Sequence, residues 1–442
     1  MTNSSSTSSI GDLVKYMHPL VVTLALLSVV SLLAKPAACA DDHSKAVKKS
    51  RVYRGLTASS EKIRLQTILN CRRTSVHLNA ELEVLLAASR RNISEAETAN
   101  TVRTSTSELL YLVGTLDQPD VESLFIDALE SPLVGVRMLA IDILGQHQFH
   151  GSIDFLKRQV SCTEYKQMYG FRFNLLRAFT RMKHPDAIDF LTVLLPSLDG
   201  QLRHLIDTAL ESATVQDFQG DQERFAQWQA RNEAPAKKEE IQDDDKIVFK
   251  TAGYESESAN RIKFAKNQYY GINIYAQRVM FIIDHSGSME DQWGGMSRLT
   301  RAKLELIKVI RELPEDTEFA LMFYETGVRL WRNELVLASE SNKLEAIAFI
   351  RRLGYGDRTN TYGALRESLA FDNDLESVFM LTDGRPTIGA TVEPAKILAD
   401  ILGRNRFRHL NFNTIGIAVN PNTEAFLKQL ADGSGGEYRR AL

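Results

Sequence analysis

From Arg278 onward, short unbroken apolar runs alternate with helix-length stretches, and this alternation constrains the fold more than any other feature of the chain. Residues 279–283 (VMFII) form the kind of run that a strand buried on both faces requires. A helical stretch is expected at 297–313, with further strands at 319–323, 378–381 and 414–419 and helical segments between them. Such alternation predicts a Rossmann-like, doubly wound α/β domain whose mostly parallel sheet is covered on both faces. In sheets of this kind ligands gather at the carboxyl ends of the strands.

Those ends carry the polar chemistry. The first apolar run finishes in Asp284-His285-Ser286-Gly287-Ser288-Met289, and the run at 378–381 finishes in Thr382-Asp383-Gly384. Between them, Gly354-Tyr355-Gly356-Asp357-Arg358-Thr359-Asn360 reads as a glycine-containing loop before a helix. Two carboxylates and several hydroxyls are thereby expected on one sheet edge, an all-oxygen set suited to a hard divalent cation. His285 does not fit that set and reads as packing beside it.

Asp-x-Ser-x-Ser after the first strand, a threonine in the middle loop and Thr-Asp-Gly after a later strand together resemble the metal-ion-dependent adhesion site of von Willebrand factor type A domains. The resemblance runs over residues 270–442, through Thr361-Tyr362-Gly363-Ala364-Leu365 and Leu430-Ala431-Asp432-Gly433-Ser434-Gly435-Gly436. It implies that Ser286, Ser288 and Thr359 contact a metal through side-chain oxygens, with Asp284 and Asp383 holding it directly or through water. Mg²⁺ is the first expectation, with Mn²⁺ or Ca²⁺ as alternatives. Neutral hydroxyls leave the ion electrophilic, so an Asp or Glu of a partner protein could complete the shell.

Upstream, the texture is helical. Val121, Leu124, Phe125, Ala128 and Leu129 follow i, i+3, i+4, i+7, i+8 spacing, which returns in Val136, Leu139, Ala140, Ile143 and Leu144. It appears again in Ala187, Phe190, Leu191, Leu194 and Leu195, and in Leu202, Leu205, Ile206, Ala209 and Leu210. Both helix pairs open on Pro-Asp (Pro119-Asp120, Pro185-Asp186), and Ile153-Asp154-Phe155-Leu156 echoes Ile188-Asp189-Phe190-Leu191. A recurring helical hairpin predicts an α-solenoid, and the stretch resembles HEAT-type repeats, with an irregular helical bundle as the alternative. Ser94 and Glu97 form a capping-box pattern that predicts a helix start.

The expected order is therefore a signal peptide at 1–40, a spacer and helical segment at 41–107, HEAT-like repeats at 108–230, a charged linker at 231–269 and the α/β domain at 270–442. The apolar stretch at 20–34 is shorter than the roughly 20 residues a membrane span needs. Ala38-Cys39-Ala40 fits a signal-peptidase site, so export with cleavage after Ala40 is expected, to the periplasm, the cell envelope or the medium. An uncleaved anchor is the alternative, and Pro36 weakens a lipid anchor through Cys39. Cys71 and Cys162 could then pair or remain as two buried thiols.

A net charge of -3 over 442 residues excludes a global pull toward nucleic acid. The three cysteines have no zinc-like spacing, and His147 with His150 lacks further ligands. There is no Gly-x-Ser-x-Gly elbow and no phosphate loop. Asp284-His285-Ser286 spells a triad, but neighbours at a strand end point in different directions. The expected function is an exported, non-enzymatic adhesion or scaffold protein that binds an acidic partner residue through a divalent cation. The order of helical repeats before such a domain also resembles bacterial envelope proteins. A metal-assisted hydrolase and an accessory subunit of a chelatase-like ATPase assembly are the alternatives.

Overall fold

The computed structural model describes residues 45–73, 78–216 and 267–441. The expected signal peptide and nearly all of the expected linker lie outside these residues. Two compact units divide the chain, one ending with Arg103–Leu116 and the other running from Asp117 onward together with Asn100–Val102.

The first unit is helical: α1 (Arg51–Leu56), α2 (Glu61–Arg73), α3 (Leu82–Ala99) and α4 (Thr104–Gly114). Its core encloses one charge. The buried Arg64 donates to Asn92 Oδ1 at 2.7 Å and to Glu95 Oε2 at 2.6 Å. Ser94 and Glu97 do not start a helix, because α3 runs through both. Ser94 is exposed on its outer side, where its carbonyl accepts from Thr98 Oγ1. A capping-box spelling inside an already propagating helix has no free N–H groups to satisfy.

The second unit begins with three helical pairs. They are α5 (Pro119–Ala128) with α6 (Val134–Gln146), α7 (Ile153–Arg158) followed after α8 (Thr163–Gln167) by α9 (Tyr169–Met182), and α10 (Pro185–Leu194) with α11 (Gly200–Gln216). The second helices stack in order, α6 on α9 and α9 on α11. Asn174 on α9 donates to the Met138 carbonyl at 2.6 Å, and Arg177 and Arg181 both reach Asp142 Oδ1 at 2.8 Å. These partners lie 35 to 39 positions apart, so the repeat spacing seen in sequence is the spacing of stacked helices. Most of the apolar faces read from the spacing are buried, Val121, Phe125, Val136, Ile143, Ala187, Leu191, Leu202 and Ile206 among them, while Phe190, Leu205, Ala209 and Leu210 are half-buried.

A sheet domain follows. After the β1 (Gln268–Tyr269) and β2 (Ile272–Asn273) hairpin come β3 (Arg278–Asp284), a second hairpin β4 (Gln292–Trp293) and β5 (Met296–Ser297), then α12 (Arg298–Glu312) and β6 (Glu318–Tyr324). The chain continues through β7 (Val328–Leu330), β8 (Val336–Leu337), α13 (Glu340–Arg352), α14 (Thr361–Phe371) and β9 (Ser377–Thr382). It closes with α15 (Pro394–Arg408), β10 (Asn411–Gly416), α16 (Pro421–Ser434) and β11 (Tyr438–Arg440). The main sheet has the order β11-β10-β9-β3-β6-β7, with β8 also on β6. Pairing is parallel from β11 across to β6, and β7 and β8 are antiparallel to β6.

Alternation along β3 divides the core. Val279, Phe281 and Ile283 pack under Leu306 and Ile310 of α12 and Ile347 and Ile350 of α13. Met280 and Ile282 face Leu365 of α14, Ile401 of α15 and Leu427 of α16. The sheet is thus doubly wound. Strand order reverses between β3 and β9, and at such a switch point the carboxyl ends of the two strands open a crevice.

The amino ends of the same strands meet the helical pairs. Arg278 opens β3, and its Nη2 lies 3.0 Å from Asp199 Oδ1 and 2.8 Å from the buried Glu376 Oε1. Glu376 Oε2 accepts from the Gln201 N–H at 2.9 Å, so it caps the start of α11. Gly200 sits at φ +52°, and a β-carbon there would collide with that carboxylate, so both backbone and space call for glycine. Arg172 pairs with Asp374, and the Tyr169 N–H donates to Asn373 O at 3.0 Å. Burial pushes Glu376 up to about 7 against the pull of Arg278.

Candidate metal centre

Each expected ligand residue follows a buried strand or enters a helix on the carboxyl edge of the sheet. Asp284 is the last residue of β3, where its side chain is fully buried. It accepts from the Ser286 N–H at 2.9 Å, from Thr382 Oγ1 at 2.6 Å and from the Tyr324 hydroxyl at 3.2 Å. Burial raises its pKa to about 6, opposed by the Thr382 hydroxyl and reinforced by the charge of Asp383. Three donors fix both oxygens of a carboxylate that the interior would otherwise discharge.

Ser286 and Ser288 turn their hydroxyls toward each other at 3.3 Å, and Ser288 Oγ donates to Asp383 Oδ1 at 2.8 Å. The intervening short helix (Gly287–Glu290) makes that turn, with the Gly287 N–H on the Asp357 carbonyl at 3.0 Å. Thr359 sits in the loop before α14, nearly buried, its N–H on Thr387 Oγ1 at 2.8 Å. Gly384 closes the ring. A β-carbon there would lie 3.7 Å from Ser288 Oγ and 3.9 Å from Thr359 Oγ1, so these two hydroxyls flank one small space.

The structure therefore brings Asp284, Ser286, Ser288, Thr359 and Asp383 to one crevice at the β3/β9 switch point. Among the described residues no three His, Cys, Asp or Glu side chains cluster as a metal site. The five residues brought together offer three hydroxyls and two carboxylates, and oxygen-only donors of this type fit a hard cation such as Mg²⁺. His285 stands aside, its Nδ1 3.1 Å from the Gly354 carbonyl. Cys71 and Cys162 are not joined to each other by a disulfide.

A family model for the von Willebrand factor type A domain matches residues 279–385, which span the whole crevice from β3 to the residue after Gly384. This segment is a von Willebrand factor type A domain. Over 162 residues the chain is 30% identical to von Willebrand factor A domain-containing protein 3B of Homo sapiens, covering 36% of this chain and 11% of that protein. Over 175 residues it is 29% identical to inter-alpha-trypsin inhibitor heavy chain H1 of Homo sapiens, covering 37% of this chain and 18% of the relative. The chain thus spans less than two thirds of these relatives' length. Among solved structures, a von Willebrand factor type A protein from Catenulispora acidiphila aligns at 20% identity and a TM-score of 0.32, over 37% of this chain and 38% of that one. BatB from Bacteroides thetaiotaomicron aligns at 15% identity and a TM-score of 0.29, over 37% of this chain and 89% of that one.

The A domain holds functional groups that sequence spacing did not single out. Tyr324, at the end of β6, tethers Asp284 together with Thr382 of the Thr-Asp-Gly motif. Thr387 holds the Thr359 loop. Arg298, the first residue of α12, places Nη1 2.7 Å from Asp383 Oδ2. The available signal was position alone, since each lies at or just beyond the carboxyl end of a strand or at the start of a helix on that edge. Beside the crevice the A domain also has a cleft of about 690 Å³ lined by Arg385, Thr387, Val392, Asn420 and Phe426.

Proposed function

We propose that the A domain is a cation-dependent protein-binding module that engages an Asp or Glu side chain of a partner. The observation that carries this reading is the convergence of three hydroxyl residues and two carboxylates in one crevice at the β3/β9 switch point. Ser286, Ser288 and Thr359 would hold the ion by side-chain oxygens, and Asp284 and Asp383 directly or through water. Bound there, Mg²⁺, or Mn²⁺ or Ca²⁺ in its place, supplies a Lewis-acidic position for an incoming carboxylate. Exposed Arg385 beside the crevice favours an acidic approach, whereas the charge of Arg358 is offset by Asp357 at 3.9 Å.

An enzymatic reading has less support. The oxygens of Asp284 are taken by Ser286, Thr382 and Tyr324, and the ring of His285 is turned to Gly354, so no carboxylate–imidazole–hydroxyl relay is assembled. The proposed setting remains an exported one. Among the described residues no helix is long and apolar enough to cross a membrane.

The test is calorimetric titration of the full chain with MgCl₂, MnCl₂ and CaCl₂, beside the Ser286→Ala/Ser288→Ala variant. Binding in the wild type that disappears in the variant is expected. A glutamate-containing peptide array probed with Mg²⁺ and then with chelator gives the second arm. Peptide capture that survives the chelator would remove the adhesion mechanism.

A further inference from the structure

The proposed site contains a cation of its own. Arg298 enters it from a short hairpin, β4–β5, whose strands pair Gln292 with Ser297 and Trp293 with Met296. Gly294 and Gly295 make the turn, and the Arg298 N–H closes its base on the Asp291 carbonyl at 3.0 Å. Ser297 then caps α12 by accepting from the Thr300 N–H, and Tyr355 donates to the same hydroxyl at 2.9 Å. The backbone at Arg298 is therefore fixed on both sides.

Its guanidinium is fixed as well. Nη1 lies 2.7 Å from Asp383 Oδ2, 3.3 Å from the Ser288 carbonyl and 3.3 Å from Asp291 Oδ2. The Asp383 side chain is fully buried, and that of Arg298 is 18% exposed, so water screens this pair weakly. Asp383 Oδ1 already accepts from Ser288 Oγ. Both oxygens of one expected metal carboxylate are thus engaged by donors of the protein, and the crevice carries two carboxylates against one guanidinium.

We infer that Arg298 is an internal counter-charge that sets how tightly the crevice holds a divalent cation, by keeping Asp383 paired to the protein and by opposing the ion's charge. This rests on the proposed function above. A carboxylate held by a guanidinium ligates a metal less readily than a free one, and a fixed positive charge on Asp383 would oppose a cation held by that carboxylate. The ion that does bind is then less neutralised by the protein and keeps more of its attraction for a partner's carboxylate.

The experiment is calorimetry of MgCl₂ binding to the full chain and to Arg298→Gln, with thermal melts of each at zero and saturating MgCl₂. Removing one like charge from beside the ion should tighten Mg²⁺ binding about tenfold, and should lower the melting temperature without Mg²⁺ while enlarging the gain on adding it. Should Arg298→Gln fail to fold, Arg298→Lys, with its weaker, single-point hold on Asp383, is expected to tighten binding about threefold. Equal or weaker Mg²⁺ affinity in the folded variant overturns the role of Arg298 and leaves the proposed function standing. Binding that appears only in the variant supports the inference. No binding by either protein overturns both.

Discussion

Asp284 illustrates how a single residue in this chain is both exposed to demand and shielded from water. Its carboxylate has to stay charged in an environment that favours the neutral form, and the hydroxyls of Thr382 and Tyr324 make that tolerable. Thr382→Val keeps the shape and removes the shorter of the two bonds. It should cost about 1–3 kcal/mol of stability, read by urea denaturation, because a buried charge loses a donor. Tyr324→Phe, at 3.2 Å, should cost less. That the five expected ligand residues share one sheet edge was legible in the sequence because they follow apolar runs or sit in a glycine-containing loop, while their role as ligands came only from the resemblance. Tyr324 and Arg298 were not, since a tyrosine ending a buried strand and an arginine opening an amphipathic helix look the same whether or not they touch a site.

At the scale of elements, periodicity located α5 and α10 and the buried runs of β3, β6 and β9. α6 is where it was expected but is buried on nearly every side, and β10 runs over Asn411–Gly416 where a strand at 414–419 was expected. The pairing helix α9 was not read from the sequence although Leu175, Ala178, Phe179 and Met182 carry the same spacing; Asn174, Arg177 and Arg181 line the side that meets α6. Those polar groups are what bind it to α6. The edge strands β7 and β8 are too short to leave a period. α15 ends in His409, at φ +53°, whose ring stacks on Phe173 of α9 at 4.9 Å. Burial, aided by the charge of Arg177, pushes His409 from 6.5 down to about 3. The unfolded chain therefore binds a proton that the folded one refuses. Its stabilising neutral state is complete above 6.5 and is lost as pH falls from there toward about 3. His409→Asn, which tolerates the left-handed backbone, should flatten the stability profile between about pH 7 and about pH 5 by about 2 kcal/mol, measured by denaturant midpoints.

At the scale of the molecule, the stacked helical pairs and the A domain belong to one compact unit, a relation that the charged segment between them did not reveal. Arg278, Glu376 and Asp199 lock them at the amino ends of the strands. Glu376→Ala leaves Arg278 with Asp199 and Asp374 and the start of α11 uncapped, and should cost about 1–3 kcal/mol, read by urea denaturation. Helical circular dichroism and the fluorescence of Trp293 and Trp331 in the sheet domain should melt together in the wild type. Two separate transitions would show that the seam does not join the parts.

The candidate site and this seam lie at opposite ends of the same strand, Asp284 closing β3 and Arg278 opening it. A partner pulling at the crevice while the helices are anchored would therefore put β3 under tension along its own axis. Because β3 is laddered on both sides by parallel neighbours, β6 and β9, its bonds would be loaded in shear, all at once, rather than peeled one by one. An adhesive contact made here would be carried by a central strand of the sheet.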